Sequence, residues 1–460
     1  MSSPTVVDWS QLISRQGKSW EPSAIRGLFP LEHIPGMVSF LAGKPNADTF
    51  PFSSIKATLK PIVPGDPEEE IVVEGPQLSE GLQYGPTPGL NGLVKWLDRL
   101  QERKHNRPKD GSWRVSVGSG SQDLLNKAMC SLVDPGDTIL MESPCYPGTL
   151  GLLTPLGANL VEVPVDSAGL NVDALEEILD TWSTKRPNEK FPKMLYTIPT
   201  GSNPSGCSAP QDRKERVLAL ARKWDFVILE DDAYAFLAFD PSKQAPSYFE
   251  LEARDLAPRM NGVNGHSAEP KQRESVGRVL RFDTFSKILS SGMRIGFVTG
   301  PPQVVDILDL MTSNTNLQPN STTAAIALAL LNKWGLDGFF EHTKRVAQFY
   351  DKKREMFERV AHKHLDGLAT WVSPDAGMFL YLNLNLTLDG TPGDSYELIA
   401  NTAVEKGVLA VPGKGFSPTG AQSSCVRVSY SLATEKDAEK GFARLAECIK
   451  EARAKSGATV

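Results

Sequence analysis

The chain has 460 residues, 40% of them hydrophobic and 23% charged, with a formal net charge of −6. That length exceeds what one small core organises, so two domains are expected. A slightly acidic chain without a long basic run argues against nucleic acid as a partner, and no apolar stretch nears the ~20 residues of a membrane helix.

Residues 1–50 are rich in Pro and Gly and predict an extended arm with at most short helices. Residues 1–20 lack the apolar core of a signal peptide. From about 90 to 345, helical periodicity alternates with short apolar runs. Leu124, Leu125, Ala128, Met129 and Leu132 share one helical face. The runs 138–141, 160–165, 194–198, 226–229, 279–282 and 295–298 are short and rich in β-branched residues. Buried strands of a mostly parallel sheet have this pattern, which gives the doubly wound α/β class. Residues 239–277 break the rhythm; long, polar and rich in Gly, Pro, Asn and Glu, they predict a partly mobile surface insertion. Beyond 345 come a charged helix over 344–364, apolar runs at 378–384, 408–411 and 426–430, and an amphipathic helix over 434–455. That sequence of elements predicts a smaller α+β domain.

Cys130, Cys145, Cys207, Cys425 and Cys448 form no CxxC pair, so reduced thiols and a cytoplasmic location are expected. The six histidines show no ligand spacing. They are expected to be solvated, and no metal is expected.

Several segments carry residues suited to chemistry. Gly118-Ser119-Gly120-Ser121-Gln122 opens the helix described above. Its glycines and free helix N–H groups suit a phosphate, although a Ser/Gly turn is also an ordinary N-cap. Pro144-Cys145-Tyr146 follows a strand, and Tyr146 could stack on a flat ligand or pack in the core. Pro199-Thr200-Gly201-Ser202-Asn203-Pro204-Ser205-Gly206 is a turn after another strand. There Asn203 is either a turn former or an amide donor. The strand at 226–229 ends in Glu230-Asp231-Asp232, with Tyr234 three residues beyond Asp231. A carboxylate at that end can pair with a pyridinium, while Asp232 fits a solvent-facing loop acid.

Lys287 lies in Thr284-Phe285-Ser286-Lys287-Ile288-Leu289-Ser290-Ser291-Gly292-Met293-Arg294. Its amine can form a Schiff base with an aldehyde, and the hydroxyls and guanidinium around it can hold a phosphate. Pyridoxal 5'-phosphate (PLP) needs both. Arg427, inside the β-patterned Cys425-Val426-Arg427-Val428-Ser429, is costly to bury unpaired. A ligand carboxylate or an internal salt bridge would satisfy it.

As a set, these pieces resemble the fold type I, class I/II PLP-dependent aminotransferases. The likeness is to the branch of the kynurenine/2-aminoadipate and fungal aromatic aminotransferases. It covers nearly the whole chain and includes Leu41-Ala42-Gly43, Leu82-Gln83-Tyr84 and Ala376-Gly377-Met378-Phe379 in the family's order. The resemblance implies a large domain with a mostly parallel seven-stranded sheet over 51–345 and a smaller α+β domain over 346–460, with 1–50 as arm and part of the small domain.

It also implies that Lys287 holds PLP and shuttles protons and that Asp231 pairs with the ring nitrogen. Tyr234 and Asn203 would bind the 3'-oxygen, and Tyr146 would stack on the ring. Ser121, Gln122, Thr284, Ser286 and Arg294 would hold the phosphate. Tyr84 would reach the phosphate of a neighbouring subunit, making the active unit a homodimer with sites at its interface. Arg427 would bind the substrate α-carboxylate, Gly43 would lie near the substrate, and Arg26 could meet a side-chain carboxylate.

The implied reaction is transamination from an aromatic or 2-aminoadipate-type amino acid to a 2-oxo acid such as 2-oxoglutarate. The alternatives are a C–S β-lyase and a PLP enzyme of a specialised biosynthetic pathway. Three departures from the pattern stand out. Leu41-Ala42-Gly43-Lys44-Pro45 is one residue shorter than the double-glycine version, Ser205 replaces the usual Thr, and Ala233 replaces a frequent Pro.

Overall fold

Short apolar runs become buried strands in both halves of the chain. The computed structural model describes residues 5–23, 25, 28, 31–32, 34–41, 43–61, 65–254, 275–386 and 393–455. The chain divides into two compact units. One joins residues up to 134 with 249–342, and the other joins 135–248 with residues from 343 onward.

In the first unit, strands Arg114–Gly118, Gly296–Gly300 and Val279–Thr284 pair antiparallel in that order. Their residues are almost wholly buried. Helices Asn91–Lys104, Ser121–Leu132 and Pro302–Thr315 supply Trp96, Leu125, Met129 and Leu308 to the core. A fully buried guanidinium, Arg281, is satisfied by Asp283, which also accepts from Gln101 at 2.9 Å. Paired and hydrogen-bonded, such a charge is tolerated in a core.

Two expectations need correction here, the insertion over 239–277 and the solvated His105, while the described part of the arm carries only short elements. The first residues of the arm are anchored: strand Thr5–Val6 pairs parallel with Ser275–Val276. Trp9 is 0% exposed and its indole N–H donates to the Gly277 carbonyl at 2.7 Å. A large ring with one satisfied donor fastens this part of the arm. Within 239–277, Tyr248–Arg254 is a helix with Phe249, Leu251 and Glu252 buried. Glu252 pairs with buried Arg107 at 3.2 Å, and Arg107 lies 4.1 Å over the Phe249 ring. The part expected to be mobile, 255–274, lies outside the described residues. His105 is likewise not solvated; it is 2% exposed and edge-on to Phe249.

In the second unit, Asn159–Asp166, Thr138–Ser143, Met194–Thr197 and Val227–Asp231 pair parallel in that order. A two-residue strand, Gly169–Leu170, adds antiparallel to Asn159–Asp166. Burial on both faces explains why Thr138–Ser143, Met194–Thr197 and Val227–Asp231 read as apolar runs. A second sheet places Cys425–Ser429 between Phe379–Asn383 and Val411–Pro412, all antiparallel. Phe442, Leu445 and Ile449 of helix Glu435–Lys455 are buried, and Phe442 meets Phe357 at 4.7 Å. The apolar run at 408–411 is strand only from Val411, and Leu409 is 79% exposed. Among the described residues no helix is long and apolar enough to cross a membrane.

Candidate active site

The first unit gathers an anion cradle at the ends of its strands. Register sets Thr284 opposite Gly296 and Gly296 opposite Gly118, one row across three strands. Helix Ser121–Leu132 starts beside that row, with Gly120 as N-cap at φ 95° and no side chain capping its first turn. The N–H groups of Ser121 and Gln122 therefore stand at a positive helix end. A Cβ on Gly120 would lie 2.4 Å from Arg294 Nη2, and one on Gly296 would lie 2.3 Å from the Ser121 nitrogen. The missing side chains keep this cradle open.

Arg294 adopts left-handed φ 53°, rare without glycine and found where geometry serves a site. Its Nη2 donates to the Ser119 carbonyl at 3.3 Å and its Nη1 reaches Ser286 Oγ at 3.5 Å. Thr284 Oγ1 donates to Ser286 Oγ at 2.9 Å. Lys287 follows directly and is half-buried. Its neighbour Ile288 is held through its carbonyl by the Nε2–H of His342 at 2.7 Å, and the His342 ring stacks on Trp334. Guanidinium, hydroxyls, N–H groups at a helix start and an adjacent amine together fit a phosphorylated aldehyde.

Other predicted residues of this unit belong to neither 118–122 nor 284–294. Tyr84 follows helix Gly75–Leu82 and is 53% exposed. Gly43 has open space around its Cβ direction. Arg26 lies outside the described residues.

The second unit gathers its residues at the carboxyl ends of parallel strands, where ligands of such sheets bind. Asp231 ends Val227–Asp231, is 5% exposed, and accepts from the Tyr196 hydroxyl at 2.6 Å. Burial, reinforced by Asp231, pushes the Tyr196 phenol well above its ordinary range, so it remains a donor. Tyr234 is buried edge-on to Phe379, and burial followed by Asp231 raises its phenol too. Asp232 is also buried, unlike the loop acid expected. Tyr146 is half-buried at the start of helix Pro147–Leu153. A Cβ on Gly148 would sit 2.3 Å from its ring, so glycine gives that ring its space.

Asn203 and Arg427 come together. Arg427 Nη1 donates to Asn203 Oδ1 at 2.8 Å, and the guanidinium lies 4.2 Å over Phe379 and 5.2 Å from Phe416. Burial holds its pKa below the ordinary arginine value. Among the described residues no carboxylate pairs with it, which removes the salt-bridge alternative there. One amide oxygen and two ring faces leave the rest of the fork for a planar anion.

Three supporting residues escaped sequence reasoning: Tyr196, Glu142 and His342. The first two had a signal. Each is a lone polar group in or ending an apolar strand, the same pattern that marked Asp231.

A family model described as aminotransferase class I and II matches residues 66–445. The chain is 43% identical over 445 residues to aminotransferase tdiD of Emericella nidulans, covering 96% of each protein. It is 36% identical over 457 residues to the mitochondrial kynurenine/alpha-aminoadipate aminotransferase of Mus musculus, covering 97% of this chain and 100% of that protein. The crystal structure of the aromatic aminotransferase Aro9 from C. albicans superposes with a TM-score of 0.83 at 26% identity, covering 98% of this chain and 99% of that one.

Proposed function

The chain belongs to the class I and II aminotransferases, and from that premise we propose that its donor is an aromatic or 2-aminoadipate-type amino acid and its acceptor 2-oxoglutarate. The protein is a PLP-dependent aminotransferase of the fold type I α/β class. Relatives that are aminotransferases do not favour the β-lyase alternative.

When bound, the cofactor supplies an aldehyde carbon that takes the amino group and a ring that accepts the electron pair left by the α-proton. With the cofactor bound, Lys287 Nζ would hold its aldehyde in the resting protein and would be the base that carries the α-proton. Asp231 pairs with the ring nitrogen and keeps it protonated. Tyr234 and Asn203 donate to the 3'-oxygen, and Tyr146 covers the ring. Ser121, Gln122, Thr284, Ser286 and Arg294 hold the phosphate. Arg427 takes the α-carboxylate, with Gly43 beside the substrate and Arg26 available to a second carboxylate.

The active unit in this reading is a homodimer in which Tyr84 serves the neighbouring subunit's phosphate. Exposure supports it: Tyr84 is 53% exposed, and Val38 and Phe40 of the arm are 76% and 97% exposed in the single chain. The division into an arm over 1–50, a large domain over 51–345 and a small domain over 346–460 belongs to the same proposal. So does a cytoplasmic location, supported by five free cysteines; the mouse relative's name says mitochondrial, so cell fractionation tests it.

The observation that carries the reading is Arg427, half-buried against two rings with no acid partner among the described residues. A panel of amino donors against 2-oxoglutarate, followed by keto-acid product, tests it. Turnover is expected with aromatic donors and 2-aminoadipate. Thiol and ammonia release without keto-acid transfer would overturn it.

A further inference from the structure

One buried acid of the second unit has no part in the chemistry above. Glu142 stands next to last in strand Thr138–Ser143 and is 3% exposed. Parallel pairing aligns Met141 with Tyr196, so Glu142 comes level with Thr197 at the strand ends. Its carboxyl accepts from Thr197 Oγ1, from the Ile198 nitrogen at 3.2 Å and from Ser202 Oγ at 3.4 Å. No cation is among these partners. The titratable groups that face it are Asp231 from the neighbouring strand, Tyr248 from its helix and Cys145 from its own loop. Burial first, with Asp231 adding to it, pushes Glu142 up to about 7.

All three partners belong to the stretch that leads into Asn203. The far side of that turn is closed by its own backbone, Ser202 N–H to the Cys207 carbonyl at 2.9 Å and Gly206 N–H to the Ser202 carbonyl at 2.6 Å. The near side is fastened to the sheet through Glu142. Asn203 then meets Arg427 at 2.8 Å. A displacement of about 1 Å would take that contact beyond hydrogen-bond range.

We propose that Glu142 is a positioning residue for the substrate-carboxylate subsite. It clamps residues 197–202 so that Asn203 holds the Arg427 guanidinium in its binding orientation. The inference rests on Arg427 being the carboxylate ligand. Conservative replacement by Gln keeps one acceptor oxygen for Ile198 and Ser202 and turns an amide N–H towards the Thr197 hydroxyl, which can accept it. Replacement by Ala removes the clamp.

The test uses cofactor-loaded Glu142→Ala, Glu142→Gln and Ser202→Ala enzymes. The dissociation constant of an unreactive des-amino carboxylic acid is measured by cofactor spectral titration, beside donor KM, kcat and cofactor affinity. Glu142→Ala is expected to raise the analogue Kd and donor KM about tenfold, with kcat within about threefold and cofactor affinity retained. Glu142→Gln is expected to restore both constants, and Ser202→Ala to raise them about threefold. Unchanged Kd and KM in Glu142→Ala, or no rescue by Gln, would overturn the proposal. If Glu142→Ala fails to fold, Ser202→Ala decides: an unchanged analogue Kd there overturns it. An Arg427→Ala enzyme that binds the analogue as tightly as wild type would instead refute the parent reading.

Discussion

The two halves of the candidate machinery are built in opposite ways. The cradle of the first unit is mostly backbone: a helix start, two glycines that leave room, and an arginine in a left-handed conformation. The strand-end cluster of the second unit is mostly side chain: Asp231 under Tyr196, and Asn203 against Arg427. A backbone cradle binds whatever anion fits, through many modest contacts. A side-chain cluster concentrates its effect in a few buried groups, each expensive to leave unpaired. Single substitutions should therefore be tolerated better in the cradle than in the cluster, Lys287 excepted because the proposed function gives it the covalent chemistry.

That exception gives the largest expected effect. Lys287→Ala should lower transamination by at least roughly ten-thousandfold, since in the proposed function one amine serves as both anchor and proton carrier. It should also abolish the visible absorbance of the resting holoenzyme. Turnover together with an unaltered spectrum would remove Lys287 from its role. Next comes Arg427→Ala, which leaves Asn203 without its cation and the substrate without its fork. Donor KM should rise about a hundredfold. Arg427→Lys should recover little of it, because a point charge does not reproduce the planar fork. Equal KM in wild type and Arg427→Lys would show that geometry is unimportant here and weaken the contrast between cluster and cradle.

The third prediction reads the cluster through stability. Glu142 is lifted from 4.5 to about 7, with burial the main cause. The folded state then binds this proton more tightly than the unfolded chain does. Its contribution is fully present below about pH 4.5 and is lost as pH rises through 7, a change on the order of 3 kcal/mol. Glu142→Gln cannot ionise, so its urea midpoint should gain on wild type steadily from pH 5 to pH 8. A difference that stays flat or shrinks across that window would show that Glu142 ionises without penalty.

The same contrast explains what the sequence disclosed. The cradle is local in the chain: 118–122 and 284–294 each bring their hydroxyls, glycines and guanidinium in one run, and the structure joins them through a single register. Asp231 was legible because a carboxylate ending an apolar strand is costly to bury unless a partner meets it there. Tyr196 and Glu142 obey the same pattern but are harder to read, since their partners lie 35 and 55–60 residues away in the chain. The anchoring of the arm was hidden for a related reason. Local Pro and Gly spoke for an extended segment, while the burial of Trp9 depends on Gly277, far along the sequence. The helix Tyr248–Arg254 was hidden by the polar residues that follow it.

Tyr196→Phe is the smallest test and the most selective one. It removes one oxygen from a buried site and leaves the ring, so packing is retained and only the donor to Asp231 is lost. A neutral donor to a charged acceptor contributes about 1.5–3 kcal/mol when buried, part of which solvent or a neighbouring hydroxyl replaces. We therefore expect kcat to fall about five- to tenfold, with donor KM and analogue binding unchanged, because Arg427 and Asn203 are untouched. A KM effect as large as the kcat effect would mean that the two pairs, Tyr196–Asp231 and Asn203–Arg427, move as one body. Glu142, which bonds Thr197 and Ile198 directly after Tyr196, would be the link between them. A double variant, Tyr196→Phe with Ser202→Ala, separates these cases: additive losses mean independent pairs, and a shortfall from additivity of about 1 kcal/mol means a shared clamp.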